Sequence, residues 1–248
     1  MLTLSTVLIA AAGYVINDYF DVRSDLINKP EKVVVGYGIK RRVAMGAHIT
    51  MNIMGILFGF YAFYLSGKWQ LGFIQLIVAG LLWFYSTNYK KQFITGNIIV
   101  AFLAALVVII VGVYEQGPNM KILVSYAGFA FLTTLIREII KDMEDKKGDN
   151  ELNCYTIPIV LGISKSKIIV SSINIILILF IAFFQYFLLM ESPYIHVLYI
   201  TVFVQVPLLL LFYLLYLAET SKQFHNISTL IKGVMLTGIL AMVLFYFI

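Results

Sequence analysis

The chain has 248 residues, a mean hydropathy of +0.92, 61% hydrophobic and 12% charged residues, and a formal net charge of +5. A soluble domain of this length carries about twice that charged share, so a water-soluble globule is excluded and a polytopic membrane protein is expected. The positive balance is of the kind found in loops facing a membrane surface, and no basic run is interleaved with aromatics, so a nucleic-acid partner is excluded too. Cys154 stands alone, which rules out an internal disulfide, and no metal-thiolate motif surrounds it; a small, partly buried side chain is the expectation.

In chain order, apolar stretches able to cross about 30 Å of hydrocarbon predict eight helices. They lie near residues 2–16, 43–66, 69–85, 97–114, 122–136, 168–190, 194–218 and 230–248. Directly after the first comes an acidic cluster, Asn17-Asp18-x-x-Asp21-x-x-x-Asp25. The second span carries Gly55-x-x-x-Gly59, a pattern that lets helices approach closely and is expected to serve packing within the chain. The third ends near Tyr85 and is followed by the pair Lys90-Lys91. After the fifth, Arg137 precedes a second cluster of the same spacing, Lys141-Asp142-x-x-Asp145-x-x-x-Asp149. Pro207, inside the seventh, predicts a kink. His48, His196 and His225 are scattered without ligand spacing, so core or surface roles are expected for them.

Lys and Arg placement sets the orientation. Sixteen of the eighteen fall in connections on the side of the acidic clusters, leaving only Lys68 and Lys121 opposite. Both clusters are therefore expected at the cytoplasmic face of the cell membrane. The glycosylation pattern Asn226-x-Ser228 falls on that same side and is discounted. The first span must then run inward from Met1 with no basic residue before it. An earlier helix, lost by truncation or a misplaced start codon, is the expectation; a cleaved signal peptide fits poorly because no basic segment leads in. Both clusters follow inward-running spans four apart. That predicts a parallel duplication: two four-helix halves around a central cavity, in one membrane-embedded domain over residues 1–248.

At roughly 100° per residue, offsets of 0, 3 and 7 fall within about 60° of each other on a helix. Each cluster thus turns three carboxylates to one side. A charge deep in a bilayer costs about 2.5–3.5 kcal/mol, and converging carboxylates repel. A divalent cation removes both problems. All-oxygen ligands without nearby His or Cys favour Mg²⁺, with Mn²⁺ or Ca²⁺ as alternatives. Mg²⁺ binds through few carboxylates plus substrate phosphates, so a shared acidic rim suits a diphosphate. The EF-hand alternative fails for want of its loop pattern.

The paired motifs Asn17-x-x-x-Asp21-x-x-x-Asp25 and Asp145-x-x-x-Asp149 resemble the two signatures of the intramembrane prenyltransferase (UbiA) superfamily. Tyr85-Ser86, Lys90-Lys91 and Gly96-Asn97 are similar to that family's Tyr…Lys-Arg…Gly-Asn turn. Arg137-Glu138, and Thr156-Ile157-Pro158 with Gly162, fit as well. The resemblance implies an all-α bundle, nine helices where eight are seen here, and Mg²⁺-dependent transfer of a prenyl group from an isoprenyl diphosphate to a lipophilic acceptor. It implies metal roles for Asn17, Asp21, Asp25, Asp145 and Asp149, with Asp18 and Asp142 as helpers; the four aspartates Asp21, Asp25, Asp145 and Asp149 would be catalytic. Lys90, Lys91, Arg137, Lys141 and Tyr85 would contact the diphosphate. Residues 25–36, with Ile27-Asn28-Lys29-Pro30, resemble the Ile-Asn-Arg-Pro segment of geranylgeranylglyceryl-phosphate geranylgeranyltransferases, but Lys32-Val33-Val34-Val35-Gly36 lacks the usual proline. The acceptor expected is a glycerol-phosphate ether lipid, with an aromatic quinone precursor as the alternative. A cation-coupled transporter is the competing class; transporters tend to place coupling carboxylates near the bilayer midplane, whereas both clusters here sit at span ends. No obligate protein partner is evident.

Overall fold

A computed structural model describes residues 1–115, 120–191 and 194–247. Ile248, the expected end of the last span, lies outside the described residues, as does the side chain of Lys121. The chain is all-helical: α1 (Leu2–Asn28), α2 (Arg41–Ser66), α3 (Trp69–Thr87), α4 (Thr95–Glu115), α5 (Met120–Glu151), the short α6 (Ile157–Val160), α7 (Gly162–Glu191), α8 (Tyr194–Ile200), α9 (Val206–Leu217) and α10 (Ser221–Phe247). Among the described residues eight segments are long and apolar enough to cross a membrane, α8 and α9 together forming one of them.

α10 begins nine residues ahead of the apolar stretch that predicts it, and α1 and α5 run well past the ends of theirs. α1 continues past Ile16 to Asn28, because no Gly or Pro interrupts residues 14–29, and Pro30 then stops it. At 1.5 Å per residue its 27 residues reach about 40 Å, enough to cross the hydrocarbon and carry Asp18, Asp21 and Asp25 on a further stretch of the same helix. α5, with 32 residues, likewise carries Asp142, Asp145 and Asp149 before it ends. Local helical geometry therefore applies through both clusters.

The chain groups into two compact units, Met1–Ala127 with Lys147–Thr156, and Gly128–Lys146 with Ile157–Ile248. In the first unit α1 packs on α2 and α3, and α3 on α4. Small residues make the close approach. A Cβ at Gly55 would lie 2.6 Å from Ile9 Cγ1, and one at Gly59 would lie 3.0 Å from Gln75 Cγ. Buried polar ties add to it: Ser5 Oγ donates to Gly55 O at 2.6 Å and Gln75 Nε2 to Thr6 Oγ1 at 2.8 Å. Lipid tails are as apolar as the side chains, so such contacts rather than hydrophobic burial bind the helices. His48 is a core residue, 2.9 Å from Ala12 O through Nδ1 and stacked near Trp83.

The second unit comprises the middle of α5 and α6 to α10, with α7 and α10 both packed on α8 and α9. Pro207 lies at the second position of α9. It lacks the N–H that would bond Phe203 O four residues back; that carbonyl accepts Thr237 Oγ1 of α10 at 2.9 Å instead. The backbone just ahead widens into a π turn, Thr201–Gln205, a usual accommodation in such helices.

Gly55→Leu should overpack the α1–α2 seam and cost about 1–3 kcal/mol. Thermal unfolding in detergent checks this, with Gly46→Leu as control: a Cβ there meets nothing within 4 Å, and its midpoint should not move.

Candidate active site

The first unit gathers charged groups from three segments distant in sequence. On α1, Asn17 Nδ2 donates to Asp21 Oδ2 at 2.6 Å, the i,i+4 bond that an unbroken helix provides. The same Asp21 oxygen is ion-paired with the Lys90 ammonium. Lys90 sits on a 3-10 turn, Tyr89–Lys91, between α3 and α4. That turn is held from two sides. A Cβ at Gly96 would lie 2.8 Å from Tyr89 O, so only glycine lets α4 begin this close beneath it. On the other side the Tyr155 N–H donates to Lys91 O at 2.8 Å.

The third segment is the last turn of α5 and the loop after it. Asp149 lies within electrostatic reach of both Lys90 and Cys154, and its carbonyl accepts the Cys154 N–H at 2.9 Å. Burial works against the Lys90 charge. Asp21, with Tyr85 and Asp149 adding to it, more than offsets that burial and holds the ammonium above the ordinary lysine value of 10.5. Burial pushes the Cys154 thiol up, and Asp149 pushes it further.

The other two acids of the first cluster border the same region, Asp18 within electrostatic reach of Asp21 and Lys90. Asp18, which is exposed, and Asp25 line a cavity of about 290 Å³ with Lys29, Lys32 and Val33–Val35. Lys91 is exposed and takes part through its backbone. α1 is further steadied by Arg41, whose guanidinium lies 4.4 Å from the Tyr19 ring centroid and donates to Tyr19 O at 3.2 Å.

Arg137, Lys141, Asp142 and Asp145 belong to the second unit. There Glu138, buried, accepts Arg137 Nη1 at 2.7 Å and Lys141 Nζ at 3.3 Å. Arg137 Nε is buried with no partner. Glu144, also buried, accepts His225 Nδ1 at 2.9 Å, and its carbonyl accepts Ser221 Oγ at 2.9 Å. Sequence reasoning passes over Glu144, gives His225 only a core or surface role, and treats Glu138 only as a neighbour of Arg137. The three-residue spacing of Glu138 and Lys141 is the one local signal that could have flagged their pairing.

Among the described residues no three Asp, Glu, His or Cys side chains form a ready-made metal cage. The donor set nonetheless fits Mg²⁺. Asn17 Oδ1 is a buried oxygen with no partner beside the Asp21 carboxylate. A hard cation that takes one or two carboxylates plus phosphate and water needs no more from the protein.

Residues 1–246 match the UbiA prenyltransferase family. The digeranylgeranylglyceryl phosphate synthase of Saccharolobus solfataricus is 34% identical over 243 residues, covering 96% of this chain and 80% of that one. The enzyme of that name from Methanosphaera stadtmanae is 28% identical over 233 residues, covering 93% and 81%. For the Methanothermobacter thermautotrophicus enzyme of that name the figures are 36% over 165 residues, 66% of this chain and 56% of its relative. A structure solved in work on digeranylgeranylglyceryl phosphate synthase in membranes superimposes with a TM-score of 0.64 at 25% identity, over 97% of this chain and 82% of that one.

The Lys90 amine titrates above its ordinary value, so its bond to Asp21 adds stability that is fully present below about pH 10 and lost only as pH rises through the raised value. The difference in melting midpoint between the wild type and Lys90→Met should stay constant between about pH 7 and 9 and shrink at higher pH. A difference that fades already near neutrality would show that Lys90 is not held in this way.

Proposed function

This chain belongs to the UbiA prenyltransferase family, and on that premise we propose that it moves a polyprenyl group from an allylic diphosphate to a lipophilic acceptor bearing glycerol phosphate, with Mg²⁺ as cofactor. The observation that carries the reading is that Asp21 and Asp149, one from each acidic cluster, share a single lysine, beside an unpartnered buried oxygen of Asn17. The acceptor is suggested by relatives named digeranylgeranylglyceryl phosphate synthase. On this reading the acidic clusters face the cytoplasm from the cell membrane, a placement supported by the Lys and Arg asymmetry of the connections.

In the reaction the C1–O bond of the allylic diphosphate breaks, and its electron pair leaves with the diphosphate. The acceptor hydroxyl oxygen bonds to C1, and its proton passes to the departing diphosphate. Oxygens of Asn17, Asp21, Asp25 and Asp149 in the first unit would hold Mg²⁺, which when bound would supply positive charge to the leaving diphosphate. Lys90, a permanent cation at neutral pH, can turn its ammonium from Asp21 to a diphosphate oxygen. Tyr85, beside Lys90, stands ready to hydrogen-bond the same group or to stabilise the allylic cation through its ring. In the second unit Glu138 orients Arg137 and Lys141, two cations of the kind that suit a diphosphate. Asp142 and Asp145 are the further metal candidates on α5. Apolar helix faces accept the prenyl tail and keep water from the cation.

Membranes containing the chain should consume labelled geranylgeranyl diphosphate when Mg²⁺ and geranylgeranylglyceryl phosphate are supplied, and stop on chelation. Hydroxybenzoate and dihydroxynaphthoate are run in parallel, and preferential turnover of either would move the acceptor to the aromatic class. Asp21→Ala and Asp145→Ala should each lower kcat/KM by about a hundredfold or more in protein that still folds, Asp21→Ala with a lower melting midpoint because the Lys90 bond goes with it. Full activity in either variant would sink the metal assignment.

A further inference from the structure

The two acid-bearing segments of the first unit meet at one further contact that the reaction itself does not use. Asn28 is the last residue of α1, three beyond Asp25. Its side-chain Oδ1 accepts the backbone N–H of Gly148 at 2.9 Å, across 120 residues of sequence. Gly148 lies inside the last turn of α5, immediately before Asp149. A glycine within a helix is unfavourable against alanine, so its presence calls for a reason, and the geometry supplies one. A Cβ at 148 would lie 2.5 Å from Asn28 Nδ2, 2.9 Å from Cγ and 3.0 Å from Oδ1. The absent side chain is the space the Asn28 amide occupies. That amide is steadied in turn by Ser24, one turn back on α1, whose Oγ lies 3.4 Å from Nδ2.

We infer that Asn28 is a positioning residue: by holding the Gly148 N–H it fixes the last turn of α5 against the end of α1, and so sets where Asp149 stands relative to Asp21 and Lys90. Asn28 touches neither substrate nor metal in this role. The functional weight of the contact rests on the prenyl-transfer reading; its existence as a clamp does not.

The lone cysteine gives a substrate-free readout. Cys154 is 7% exposed and tied to Asp149 through its backbone, so loosening the last turn of α5 should expose it. Labelling by N-ethylmaleimide is measured on the purified full chain, alongside Mg²⁺-dependent binding of geranylgeranyl diphosphate without acceptor. Asn28→Ala and Gly148→Ala should each speed labelling by about tenfold and weaken diphosphate binding to a similar degree, the scale expected when a site is misplaced by a fraction of an ångström. Adding Gly148→Ala to Asn28→Ala should change nothing more, because the clash and the bond are then both already gone. Asn28→Asp keeps an acceptor oxygen for Gly148 and should label at the wild-type rate. In Gly148→Ala the melting midpoint should hold or rise, since alanine favours the helix, so a loss of binding cannot be ascribed to unfolding. Unchanged labelling in both single variants, or additive effects in the double, would overturn the inference. Labelling that moves as expected in a protein that binds no prenyl diphosphate would leave the clamp standing and remove the proposed function instead.

Discussion

A carboxylate near the end of a membrane-crossing helix must be answered by a positive charge that stays in place, and for Asp21 that charge is Lys90. Much of the first unit's detail serves this pair. The turn that carries Lys90 is tight enough to require glycine at position 96 beneath it, and the loop after α5 pins the turn from the other side. Asn17 takes up the same carboxylate oxygen and leaves its own oxygen unsatisfied. A buried acceptor without a partner is costly, and this one stands beside a carboxylate, an oxygen pair of the chemistry that hard cations take.

Hydrophobic burial does little to hold such a protein together, because lipid competes equally for apolar faces. Its adhesion comes from small residues and from backbone carbonyls that find unusual donors. Gly55 and Gly59 admit α1 and α3, and Ser5 ties the seam through the Gly55 carbonyl. At Pro207 the orphaned Phe203 carbonyl is claimed by Thr237 on another helix, and Asn174 likewise donates to Leu208 O at 2.8 Å. A carbonyl that would be orphaned in an isolated helix thus ties the π turn ahead of α9 to α10.

The acids of α5 divide by what surrounds them. Glu138 and Glu144 are buried and satisfied inside the second unit, by Arg137 with Lys141 and by His225. Asp142, Asp145 and Asp149 are only half-buried. The first pair orients cations and anchors α10; the aspartates occupy positions that a ligand can reach. Glu138 shares the face of the three aspartates, at offsets of 4, 7 and 11 residues, and is set apart from them by its buried cation partners, whereas Glu144 points about 120° away.

The eight spans, the placement of charge about them, the repeated aspartate spacing and the role of Gly55-x-x-x-Gly59 are all legible in the sequence. Hydropathy and helical periodicity act over one or two turns of chain, so residue order alone determines them. Helix ends are legible only in part: α1 and α5 outrun their apolar stretches because nothing in the polar sequence that follows breaks a helix until Pro30 and the turn after Glu151. Other features were decided by tertiary packing. Asp21 rather than its neighbours Asp18 and Asp25 meets a lysine 69 residues away, Asn28 reaches Gly148, and Glu144 is met by His225. These contacts depend on how helices rotate and slide against one another, a quantity set by side-chain fit across the whole unit and carried by no local pattern of residues.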